Sequence, residues 1–172
     1  MRIGGVLLAI ASIAAVIWFG LAPAATQPAP TVRATLSGYE ETPAISTEAS
    51  GAFVVRVGDG VLDYELSYQG LQSGVLFAHI HFGQPGVAGG VSAFLCGGGG
   101  KPPCPTPGGT AIGTIVPANV VGPTGQGIGA GEFDELVRAI LNGVAYANVH
   151  SNTFPGGEIR GQIRGTNFPA GK

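Results

Sequence analysis

The chain has 172 residues, near the size of one domain, and its 31 glycines and 13 prolines follow no three-residue period, which excludes a collagen-like rod. Hydrophobic residues make up 45%, enough for a packed core, so wholesale disorder is excluded. Formal net charge is −2 with no basic block, which leaves no footprint for a phosphate-neutralising nucleic-acid surface.

Arg2 precedes a charge-free run from Ile3 to Ala22, and Ala22-Pro23-Ala24 forms an A-x-A cleavage pattern. Residues 1–24 read as a signal peptide. The alternative is an uncleaved membrane anchor through residues 3–22, because a run of that length just spans a bilayer. Either reading places the remainder outside the cytoplasm, whether secreted, periplasmic or at the cell surface. Residues 25–31 (ATQPAPT) form an extended linker. A domain is expected over residues 32–166, with a tail at 167–172. Cys96 and Cys104, eight positions apart, are expected to pair as a disulfide in that oxidising setting. They would close a glycine- and proline-rich loop over 96–109 whose composition excludes regular structure.

Short strands separated by turns follow. Residues 32–38 (VRATLSG) alternate and end in glycine. In 51–58, Phe53, Val55 and Val57 share a face; in 61–68, Leu62, Tyr64, Leu66 and Tyr68 do. Gly58-Asp59-Gly60 between them supplies a tight turn, so the two runs predict a hairpin. Residues 75–82 (VLFAHIHF) form a strand with Leu76, Ala78, Ile80 and Phe82 on one face and Val75, Phe77, His79 and His81 on the other. Residues 91–95 and 111–116 are further short strands. Over 132–142, Phe133, Leu136, Val137, Ile140 and Leu141 recur at helical spacing, acids fill the first turn and Gly143 ends it. Strands at 144–150 and 158–164 close the chain. In the last, Ile159 and Ile163 point inward, while Glu158, Arg160, Gln162 and Arg164 point outward; Glu158, Arg160 and Arg164 are expected to form solvated cross-strand ion pairs. Many short strands with frequent turns predict an all-β antiparallel sandwich or barrel with one short amphipathic helix.

The segments FAHIHFGQPGVAGGV (77–91), GEFDELVRAILNGVAYANVHS (131–151) and PGGEIRGQI (155–163) resemble the CHRD, or chordin-type, domain family. The resembling motifs are Ala78-His79-Ile80-His81, then Tyr146 with Asn148-Val149-His150-Ser151, then Pro155 through Ile163, which contains Glu158 and Arg160. ATLSGYEETP (34–43) is similar to the family's opening. The resemblance implies an immunoglobulin-like β-sandwich or barrel, usually exported, and a non-catalytic binding module for an unidentified protein, matrix or cell-surface partner. It assigns no activity and does not account for the 96–109 loop.

All three histidines of the chain fall within those motifs. His79 and His81 alternate along one strand, so both rings leave the same face, with Cα atoms roughly 6–7 Å apart. That is a chelating arrangement if His150, on a later strand, approaches them. Neutral imidazoles suit copper or zinc, with Glu158 or Asp63 as carboxylates that could complete a site. The competing reading is a hydrogen-bond network in which Asn148 and His150 satisfy buried backbone groups. A different ligand or a catalytic role is a third. No complete catalytic set is present: a G-x-S-x-G elbow is absent, and the glycine run 97–100 lacks the ending of a phosphate loop. Tyr39 through Pro43 reads as a plain turn.

Overall fold

The computed structural model describes residues 29–165. The expected leader, most of the linker and the expected C-terminal tail lie outside the described residues. No helix among those described is long and apolar enough to cross a membrane.

Nine strands form one antiparallel sheet. They are β1 (Thr31–Ser37), β2 (Ser50–Val57), β3 (Leu62–Gln69), β4 (Val75–Phe82), β5 (Gly90–Cys96), β6 (Gly109–Ile115), β7 (Ala145–Ser151), β8 (Ile159–Gln162) and β9 (Arg164–Gly165). The order is β5-β4-β7-β8-β1-β2-β3-β6, with β9 also paired to β1. The sheet curls into a nearly closed barrel. The expected hairpin is β2–β3, in register from Ser50 opposite Gln69 to Val57 opposite Leu62. The run expected as one strand over 158–164 is interrupted at Ile163, between β8 and β9.

Alternation decides what enters the barrel. Leu36, Phe53, Val55, Leu62, Leu66, Ile80, Ile115, Val149, Ile159 and Ile163 come from seven strands and the Ile163 break, and all are buried in one core. At roughly 1.5–3 kcal/mol for each large side chain buried, this layer is the main source of stability. The helix α1 (Phe133–Leu141) adds Phe133, Leu136, Ala139 and Ile140 to the same core. It ends as expected: Gly143 follows the C-cap with φ of 69°, in the left-handed region that glycine enters without strain.

The edges β5 and β6 share no ladder and are joined by a few bonds from side chains and from the segments that follow each strand. The Tyr64 hydroxyl donates to the Leu95 carbonyl at 2.6 Å across the gap. It passes over Gly113, where a Cβ would lie 2.5 Å from the phenolic oxygen. The Val121 amide donates to the Ser92 carbonyl at 2.9 Å, and Lys101 Nζ donates to the Thr114 carbonyl. The Cys96–Cys104 disulfide is present, with Cα atoms 4.9 Å apart.

Two irregularities in the β4–β5 pairing set up the outer surface. Ala78 faces Cys96 but His79 faces Phe94, and Ile80 faces Ala93 but His81 faces Val91. Leu95 and Ser92 are therefore extra residues on β5, as in β-bulges. The first bulge turns Leu95 inward and brings Phe94 beside His79 on the outside.

Candidate functional site

His79, His81 and His150 converge on the outer face of β4 and β7. In that ladder Phe77 lies opposite His150, His79 opposite Asn148, and His81 opposite Tyr146. Directly opposed residues share a face, so six polar or aromatic side chains gather on one patch. One ring nitrogen from each histidine lies within 4.8 Å of the others. The patch is an outer surface, yet the histidines are only 5%, 8% and 6% exposed.

Segments flanking the strands provide the cover. The loop after β4 supplies Gly89, whose carbonyl accepts His81 Nδ1–H at 3.0 Å. The turn after β7 supplies Pro155, whose carbonyl accepts His150 Nδ1–H at 3.0 Å. Each bond fixes a tautomer with the lone pair on Nε2, the usual way an outer partner orients a metal-ligating histidine; that lone pair is unpartnered on His81 and within hydrogen-bond reach of His79 Nδ1 on His150. His79 Nδ1 lies 3.2 Å from His150 Nε2. Two nitrogens bound at about 2.0–2.1 Å to one tetrahedral or trigonal ion are separated by roughly that distance. His79 Nε2, His81 Nε2 and Asn148 Oδ1 are buried with no hydrogen-bond partner among the described residues. Buried polar atoms are rarely left so, and three on one patch mark a place built for something else.

Aromatic rings wall the cluster. The Phe77 centroid is 4.8 Å from both His79 and His150, and Phe94 meets His79 edge-on at 4.4 Å. Tyr146 stacks on His81 at 4.8 Å with planes 4° apart, and the Arg160 guanidinium lies over the Tyr146 ring, 3.5 Å from its centroid. Phe94 is itself gripped by the cystine-closed loop. A Cβ on Gly98 would sit 2.5 Å from the Phe94 ring and one on Gly99 2.7 Å, so only glycine lets the loop close on it.

Burial disfavours the imidazolium form throughout. It pushes His79 down to about 3, with His150 and His81 adding repulsion. It pushes His81 down to about 4 against the opposing pull of the Gly89 carbonyl, and it lowers His150 as well. All three rings are therefore neutral at physiological pH, with lone pairs available to an electrophilic ion.

The other expected site residues divide. Asn148 gives its amide to the Glu41 carboxylate at 2.9 and 3.1 Å, not to buried backbone groups. Arg160 points outward as expected, opposite Asn148, whereas Glu158 precedes β8 and turns to Ser151, Thr47 and the Gln72 amide; the expectation of solvated ion pairs is wrong. Both are buried, at 0% and 2% exposure. Their hydrogen-bond partners are neutral instead: Thr47, the Gln72 amide and the β7 residue Ser151 for Glu158, and Thr42 with the Gln84 and Val87 carbonyls for Arg160. Among the described residues the one ion pair is Glu135–Arg138 on the helix. No carboxylate joins the histidines, so Glu158 and Asp63 do not complete the site; Asp63 is exposed on β3.

Glu41 was missed because the Tyr39–Pro43 segment reads locally as a turn. Burial raises its carboxyl to about 7 against the Asn148 hydrogen bond and the Arg160 charge. An acid at the edge of a proline turn carries no signal of a partner 107 positions away. Phe94 was missed because a bulge, not alternation, places it.

No curated protein and no solved structure matches the chain. The family model described as CHRD domain matches residues 32–163, which span β1 through the Ile163 break and include every residue of the histidine cluster. The chain therefore belongs to the CHRD domain family.

Proposed function

We propose that this domain is a binding module whose ligand is a single transition-metal ion, copper or zinc, held by His79, His81 and His150. The observation that carries the reading is the convergence of three neutral, buried imidazoles, two of them with unpartnered Nε2 atoms. A purely structural network would use those atoms, since an unmet buried donor or acceptor costs about 1–3 kcal/mol. Each histidine comes from a rigid strand, two from β4 and one from β7, so the set is preorganised. When bound, the ion would act as a Lewis acid. The chain's part is to orient the rings through Gly89 and Pro155, keep them unprotonated and limit water.

The reading includes a site of action outside the cytoplasm, which the Cys96–Cys104 disulfide supports. The test is elemental analysis of untagged full-length protein reconstituted with copper or zinc and freed of excess. One equivalent is expected, and it is lost in the His79→Ala/His81→Ala/His150→Ala variant. Less than roughly a tenth of an equivalent in the parent protein would overturn the reading.

A further inference from the structure

Building on that three-histidine reading, we infer that the site is matched to monovalent copper rather than to zinc(II) or copper(II). The first ground is charge. The donor set is three neutral rings, with no carboxylate in the cluster. Both cysteines are committed to the disulfide. The two nearest buried carboxylates are turned to other partners, Glu41 to the Asn148 amide and Glu158 to Thr47, Gln72 and Ser151. The nearest fixed charge in the aromatic wall is positive. Arg160 stacks on Tyr146, and Tyr146 stacks on His81. An ion here receives no charge from its ligands, in a place sheltered from water. Because the desolvation penalty grows as the square of charge, a dication meets about four times the penalty of a monocation. The guanidinium repels it further.

The second ground is coordination. A d¹⁰ monocation is satisfied by three nitrogen donors. Zinc(II) takes four ligands, and copper(II) prefers a tetragonal set. Phe77, Phe94 and Tyr146 pack against the three rings, so the immediate surroundings of the cluster are apolar and offer no further side-chain donor. His79 and His81 stand two apart on one strand and His150 stands across the ladder, so the backbone presents the three rings from one side as a preformed three-donor set.

The experiment uses untagged full-length protein and bare metal ions. Copper held cuprous by ascorbate without oxygen is titrated against bicinchoninate, and zinc(II) and copper(II) are each titrated against a chromophoric chelator. The expected result is one cuprous ion bound at least about a hundredfold more tightly than either dication. Arg160→Gln is expected to narrow that gap at least about fivefold by removing the repelling charge. Should that variant not fold, the parent comparison decides alone. Zinc(II) or copper(II) binding as tightly as cuprous copper, with loss in the triple-histidine variant, overturns the cuprous assignment and leaves the metal site standing. Failure of all three ions, or binding that survives the triple-histidine substitution, overturns the site itself.

Discussion

The outer faces of the two halves of the barrel obey the same alternation and end in opposite states. On β1, β2, β3 and β6, the outward residues Arg33, Thr35, Arg56, Asp63, Glu65, Thr110, Ile112 and Thr114 are exposed. On β4, β7 and β8, the outward residues His79, His81, Tyr146, Asn148, His150 and Arg160 are buried. Every residue of β7 is buried, so that strand is covered on both faces. The difference is made by connections: the segment after β1, the loop after β4 and the turn after β7 fold over one half and leave the other wet. A polar residue on the wet half keeps its water. One on the covered half must find a partner, and the histidines find partners for only some of their nitrogens.

The comparison can be broken most sharply by deleting a ligand. His150→Ala is expected to weaken metal binding by more than about a hundredfold, beyond the usual loss for outer-sphere changes, as read by chelator competition. The same substitution at Glu65, on the wet half, is expected to change binding not at all.

Acid gives the next largest effect. Folded His79 and His81 take up protons only near pH 3–4, whereas the unfolded chain does so near 6.5. Their stabilising contribution is full above about 6.5 and is lost as pH falls toward those values, on the order of a few kcal/mol in total. Glu41 has the opposite sign. Its folded value of about 7 lies above the ordinary 4.5, so its contribution is present below that and is lost as pH rises through 7. Glu41→Gln should therefore steepen the acid-side loss between pH 6.5 and 4.5. Urea unfolding at stepped pH measures both; a slope unchanged by the substitution would argue against a buried Glu41.

Replacing Cys96 and Cys104 by serine should cost about 2.5 kcal/mol by the loop-entropy relation for so short a closure. It should also free the loop that grips Phe94. Gly98→Ala isolates the second effect. Its methyl must displace the Phe94 ring, so metal affinity is expected to fall about tenfold with little change in the unfolding midpoint. Smallest of all, Ile112→Thr on the wet face should shift stability by less than about 0.5 kcal/mol, because that side chain is already 75% exposed.

Local pattern carried much of this molecule. Period-two alternation marks β2, β3 and β4, and the inward set Phe53, Val55, Leu62 and Leu66 follows from it, because strand side chains must alternate. The helix is legible from its 3.6-residue recurrence and terminal Gly143, the disulfide from compartment and cysteine count, and the family from three contiguous motifs. These features depend on neighbours in the chain. Tertiary structure alone decided which outward residues are buried. It also decided that Glu158 and Arg160 are buried and hydrogen-bond to neutral groups, that a bulge brings Phe94 to His79, and that Glu41 reaches Asn148. Burial of an outward face depends on loops that arrive from dozens of positions away, and a strand's own residues hold no record of what will cover them.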